Sequence, residues 1–159
     1  MMKLIEAGTE APNFTLMDNR NQYIRLSDYR GKKVLLSWHP LAWTPVCTDQ
    51  MRALETNWQR FQMLNTIPFG LSIDAPPCKK SWAMALIINN VSLLSDFWLH
   101  GKVAQDYGLF LQGDGYSQRA NIIIDENGIV IWVKVYPMEQ LPDINEVLNI
   151  LSNRNMQSK

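Results

Sequence analysis

Apolar residues recur along this chain with two periods, and the alternation between them predicts the order of its elements. Residues 34–38 (Val-Leu-Leu-Ser-Trp) and 67–73 (Ile-Pro-Phe-Gly-Leu-Ser-Ile) are short, nearly continuous apolar runs, as expected of strands covered on both faces. Between them Met51, Leu54, Trp58 and Phe61 fall at steps of three and four, which predicts one amphipathic helix beginning near Cys47. A second helical pattern runs through Trp82, Ala85, Leu86 and Ile88. Residues 91–97 predict another strand, and 101–108 a brief helix stopped by glycine. Upstream, residues 11–16 and 22–26 flank the turn cluster 18–21 and predict a hairpin, followed by a capped turn over 27–31. Downstream, a strand opening after Ser117 and a strand over 129–136 are joined by Glu126-Asn127-Gly128. Leu141, Ile144, Val147, Leu148 and Leu151 line one face of a closing helix opened by Pro142 and Asp143, with residues 153–159 expected to fray. The sum is an α/β sequence, one domain over residues 1–159, with neither repeat nor low-complexity linker.

Composition narrows the function. Nearly half of the residues are hydrophobic and the formal net charge is zero, so no basic excess points to nucleic acid. The apolar runs are too short to span a bilayer, and the first residues lack the apolar stretch of a signal peptide. Two cysteines do not make a disulfide framework, which makes a reducing cytoplasm the expected compartment. The two histidines and two cysteines match no common zinc spacing, and Gln112-Gly113-Asp114-Gly115 lacks the acidic ligands of a calcium loop; no metal or cofactor is expected.

The chemistry concentrates in residues 40–48, Pro-Leu-Ala-Trp-Thr-Pro-Val-Cys-Thr. A cysteine between a central strand and the first turn of a helix meets unpaired amides and the positive end of the helix dipole. Such surroundings lower a thiol's pKa from about 8.5 toward ~3.5–7.5. A buried structural thiol is the commoner fate of a free cysteine, but Thr44 and the flanking Pro40 and Pro45 argue for the reactive one. Cys78 follows Pro76-Pro77 near the next helix N-terminus, so both thiols belong at one edge of the sheet. Arg119 opens an apolar strand, where an always-charged fork of donors could hold a thiolate or remain a solvated surface charge.

Pro40, Thr44 and Cys47 form the pattern P-x-x-x-T-x-x-C, which resembles the active-site signature of the peroxiredoxins. The likeness extends over residues 5–150. It includes the opening hairpin with its Leu-Ser-Asp-Tyr-Arg-Gly-Lys connector (26–32), Leu-Leu-Ser-Asp at 93–96, Val103-Ala104 with Tyr107-Gly108, and the arginine before a strand ending Ile124-Asp125. The chain is thereby identified as a member of this thiol-specific antioxidant and alkyl hydroperoxide reductase family, in its bacterioferritin-comigratory-like branch. The resemblance implies a thioredoxin-like fold, a central mixed sheet flanked by helices behind an N-terminal β-hairpin. Two positions depart from common family choices: Gln50 stands where a glutamate is frequent, and His39 where an aromatic or apolar residue is usual.

On that resemblance, Cys47 is the expected peroxidatic nucleophile, attacking a peroxide oxygen and becoming a sulfenic acid. Thr44 would bind the peroxide and the thiolate, Arg119 would stabilise negative charge, and Pro40 would wall the pocket. Cys78 is a candidate resolving thiol; otherwise a thioredoxin-like or low-molecular-weight thiol regenerates the enzyme. A homodimer is expected, with exposed aromatics such as Trp43 or Trp98 suited to the contact. Two rival classes compete with this reading. A disulfide oxidoreductase would need C-x-x-C, and Thr44 occupies its first position. A peroxide-sensing or partner-binding module could use Cys47 with little turnover.

Overall fold

The structure is a computed structural model that describes residues 3–157. Strands β1 (Thr15–Asp18), β2 (Tyr23–Arg25), β3 (Lys33–Trp38), β4 (Thr66–Ser72) and β5 (Ser92–Ser95) come first, and a 3-10 turn over Leu26–Tyr29 separates β2 from β3. Two short strands, β6 (Phe110–Leu111) and β7 (Tyr116–Ser117), form a small ribbon of their own. Strands β8 (Arg119–Ile124) and β9 (Val130–Tyr136) complete the main sheet, whose order is β2-β1-β5-β4-β3-β8-β9. The three central strands β3, β4 and β5 are parallel, and β8 returns antiparallel against β3. Helices α1 (Pro45–Thr56), α2 (Trp58–Met63), α3 (Pro76–Leu86), α4 (Lys102–Asp106) and α5 (Ile144–Gln157) supply the outer layers.

Strand β3 is buried at every position, which is why its sequence is a run rather than an alternation. Its side chains point alternately to two cores. Val34, Leu36 and Trp38 join Phe14, Leu94, Tyr107 and Ile122 on one side, while Leu35 joins Met51, Leu54, Phe61, Trp82 and Leu148 on the other. The second core carries Cys47. Helix α1 lies close on the sheet because Gly70 of β4 has no side chain; a Cβ there would collide with the sulfur of Met51.

Several elements differ from the sequence expectation for local reasons. The first strand begins at Thr15 rather than residue 11, since Pro12 has no N–H and Ala11 donates to the Gly128 carbonyl (2.9 Å). The single helix expected after Cys47 breaks at Asn57, whose side-chain amide donates to Ala53 O (2.8 Å) beside its own backbone N–H (3.2 Å). The ribbon β6–β7 brackets the glycine turn expected at 112–115. The closing helix runs through Gln157, over part of the stretch expected to fray: Leu151 is buried beneath it, and the Asn155 side chain accepts a hydrogen bond from Lys33 Nζ (3.1 Å). The last residues of the expected tail, 158 and 159, lie outside the described residues.

Candidate active site

Helix α1 starts where β3 delivers the chain to the C-terminal edge of the sheet. Thr44 has extended backbone angles (φ −93°, ψ 153°) and occupies the N-cap, with Pro45 first in the helix. The first helical bond runs from the Thr48 N–H to the Thr44 carbonyl (2.9 Å), so the Val46 and Cys47 amides have no carbonyl partner within the helix. Cys47 itself is fully buried at this positive end. The preceding loop is held by Asp74, whose Oδ2 accepts the Ala42 N–H (2.8 Å) and the Ser72 hydroxyl (2.5 Å). Pro40 is buried beneath the loop, while Trp43 (φ 72°) turns its indole largely into solvent.

Arg119, first in β8, reaches the same point from the neighbouring strand. Its side chain is buried, and Nη1 lies 3.3 Å from Cys47 Sγ and donates to Gln50 Oε1 at 2.8 Å. Nε and Nη2 both donate to the Met138 carbonyl, at 3.1 and 2.8 Å, which fixes the plane of the guanidinium. Gln50 in turn donates to Ser37 Oγ (2.7 Å) and the Trp38 carbonyl (3.1 Å). A glutamate in its place would bring a counter-charge; the neutral amide orients Arg119 without pairing its charge. The Thr44 hydroxyl donates to the Leu41 carbonyl (2.7 Å), so it offers an incoming peroxide its lone pairs, as an acceptor. In this arrangement it does not also donate to the thiolate.

Cys78 stands in the first turn of α3, beside the same edge, and both cysteines are free thiols. It is half-buried, with Sγ 3.9 Å from Asp74 Oδ1. Burial first, and then the Asp74 charge, push its thiol up from the ordinary range, against weaker opposing pulls from Trp43 and Lys79. The next residue is the site's least expected feature. Lys79 is fully buried, its Nζ 2.6 Å from His39 Nε2 and 5.3 Å from the centre of the Trp82 ring. Burial brings its ammonium down to about 7, against the attraction of Asp74, Cys47 and Cys78. Burial and the neighbouring Lys79 drive His39 well below the ordinary imidazole range.

The structure thus brings Cys47, Thr44, Pro40 and Arg119 to one edge, with Cys78 on the adjoining helix. Sequence reasoning missed Asp74 and Lys79. The signal for Lys79 was present: residues 79, 82 and 83 share a helix face with Trp82, which makes the first lysine of Lys79-Lys80 the inward one. His100 is occupied elsewhere, its Nε2 2.7 Å from the Gly115 carbonyl. A surface cleft between Asn19, Arg20, Lys80 and Met84 contains none of the residues around Cys47.

Comparison with known proteins bears on the same residues. A model of the AhpC/TSA family matches residues 7–133. "Alkyl hydroperoxide reductase E" of Mycobacterium tuberculosis is 37% identical over 128 residues, covering 80% of this chain and 83% of that protein. "Peroxiredoxin" of Thermoplasma volcanium is 35% identical over 149 residues, covering 91% and 72%. Among solved structures, the reduced 2-Cys peroxiredoxin of Plasmodium vivax superposes with a TM-score of 0.85 at 29% identity, covering 96% of this chain and 83% of that one.

Proposed function

This chain belongs to the AhpC/TSA family of peroxiredoxins and is a thiol-dependent peroxidase, and from that premise we propose that Cys47 is its peroxidatic residue, reducing hydrogen peroxide or alkyl hydroperoxides. The observation that carries the assignment is the Arg119 guanidinium 3.3 Å from a cysteine sulfur buried at a helix N-terminus. Both features favour an anion on that sulfur. The thiolate attacks one peroxide oxygen in line with the O–O bond. A sulfur–oxygen bond forms as the oxygen–oxygen bond breaks, sulfur is oxidised to the sulfenate, and the other oxygen leaves with the peroxide's own proton as water or an alcohol. The sulfenate takes up a proton from water to become the sulfenic acid. Thr44 accepts the peroxide O–H and sets the approach. Arg119 and the Val46 and Cys47 amides follow the charge as it moves from sulfur to oxygen. Pro40 closes the floor of the site.

The sulfenic acid is then discharged by a thiol. Cys78 is the resolving candidate within the chain, on the adjoining helix at the same edge. The raised pKa of Cys78 beside Asp74 favours a second reading, in which a thioredoxin-like or small-molecule thiol attacks first, because only a thiolate attacks quickly. Two free cysteines fit a reducing cytoplasm. The exposed rings of Trp43 and Trp98 fit a homodimer contact. The test is one equivalent of hydrogen peroxide added to reduced protein, followed by intact mass. Loss of about two daltons in the monomer means a Cys47–Cys78 disulfide, and a gain of about sixteen means a sulfenic acid awaiting an outside thiol. Cys47→Ser is expected to abolish either change and all peroxide turnover. Wild-type protein that keeps its mass overturns the assignment, and consumption of one equivalent only, with reductant in excess, converts the reading to a peroxide sensor.

A further inference from the structure

Lys79 takes no part in the chemistry above, yet its place in the molecule is hard to account for as packing. A lysine that fills space can extend its head to water; this one is enclosed. A buried ammonium is costly without an anion beside it, and among the described residues no carboxylate forms an ion pair with Lys79. Among the described residues its close polar partner is the neutral ring of His39, and beneath it is the face of Trp82. The Trp82 indole N–H points on to the hydroxyl of Thr48 (3.4 Å), the residue after Cys47, so one packed unit joins Lys79 to the start of α1.

The charged groups facing this unit are few. Asp74 approaches from the loop before α3, Cys78 from α3 itself, Cys47 from α1, and Arg119 from β8 toward His39. Asp74 already accepts the Ala42 amide and the Ser72 hydroxyl, and the Cys78 thiol lies beside it. Asp74 is the foremost anion acting on Lys79, without an ion pair to it, and the Cys47 sulfur, once ionised, is the next.

We propose that Lys79, seated between His39 and Trp82, is a positioning residue whose ammonium serves as a second counter-charge for the Cys47 thiolate, and that His39 holds it in place by accepting its N–H. The inference rests on the reading of Cys47 as the attacking thiol. Interaction between two titrating groups is reciprocal: if the thiolate favours the ammonium, the ammonium favours the thiolate by the same amount. His39 departs from the residue expected after β3 for this reason. An aromatic hydrocarbon there would fill the space and give the ammonium no acceptor.

The experiment uses the reduced full chain carrying Cys78→Ser, so that Cys47 alone contributes to the ultraviolet thiolate absorbance. Lys79→Met, of similar length and no charge, is expected to reduce the acid ionisation constant of Cys47 about tenfold, one pH unit in midpoint. His39→Phe is expected to move it about threefold in the same direction, the scale of one hydrogen bond. The rate of oxidation by hydrogen peroxide should fall below the new midpoint and return to the parent value once the sulfur is fully ionised. A merely structural role would lower the rate equally at every pH, and that result, or folded variants titrating like the parent, overturns the proposal. If Lys79→Met does not fold, His39→Phe decides by the same criterion. A parent protein that titrates as expected and leaves peroxide unconsumed fails the peroxidase reading alone.

Discussion

Two cations attend the Cys47 sulfur, and they differ in every respect that matters to a thiolate. Arg119 touches it, with five further guanidinium and amide hydrogen bonds fixing its plane and that of Gln50. A guanidinium is a permanent charge with donors in a fixed fork. Lys79 stands behind, in a pocket of aromatic and imidazole rings, and its charge comes and goes near neutrality. The contrast separates two tasks. A group that must both bind the peroxide oxygen and hold the sulfur needs permanent charge and directed donors. A group that only supplies field can sit out of contact, at the cost of desolvation.

The comparison is broken most severely at Arg119. Arg119→Met removes directed donors as well as charge, so the rate with peroxide is expected to fall by ~10²–10³. Stopped-flow rates across pH should show the deficit persisting where the sulfur is fully ionised, unlike the recovery expected for Lys79→Met. Recovery at high pH would reduce Arg119 to a field effect.

Stability sharpens the comparison from the other side. In the unfolded chain Lys79 keeps its proton up to about 10.5, but in the folded protein only to about 7. Between those values the unfolded state holds more protons, so stability rises with pH across the window, and the full penalty of the buried charge is present below it. Lys79→Met removes that penalty. The reduced variant is expected to be more stable than wild type near pH 7, by about 1–4 kcal/mol, with the advantage shrinking toward pH 10. Urea unfolding midpoints at the two pH values measure it; a variant less stable at neutral pH would mean that the ammonium is fully paired already.

The smallest effect is expected at Gln50. Gln50→Glu gives Arg119 a carboxylate to pair with, which weakens its hold on the sulfur, and the ionisation constant of Cys47 should fall about threefold. Thiolate absorbance reads this directly. An unchanged midpoint would mean that Arg119 divides its charge without loss, and that the neutral amide has no electrostatic consequence.

Much of this was legible along the chain. The run 34–38 and the three-and-four spacing from Met51 to Phe61 set Cys47 between a buried strand and a helix, because burial on two faces and burial on one leave different periods. The turn at 126–128 and the position of Arg119 at a strand start were equally plain. Asn57 hid its break, since an amide side chain competing for the Ala53 carbonyl leaves the apolar stripe intact. The tail from Asn153 reads as polar and frayed, but Lys33 reaches across from β3 to hold it.

What the sequence determined by itself is the kind of chemistry: an anion-favouring helix start carrying one cysteine, and the thioredoxin-like order of strands and helices around it. These follow from local periodicity and from backbone groups that every helix N-terminus leaves unpaired. What only the tertiary structure decided is which charges meet the sulfur. Arg119 lies 72 residues from Cys47, and its guanidinium arrives because β8 pairs antiparallel with β3. Lys79 and Lys80 are identical neighbours, and only the packing of α3 against the sheet buries one and leaves the other in water. Electrostatic energies depend on distance and on desolvation, and both are properties of the folded interior rather than of any stretch of chain.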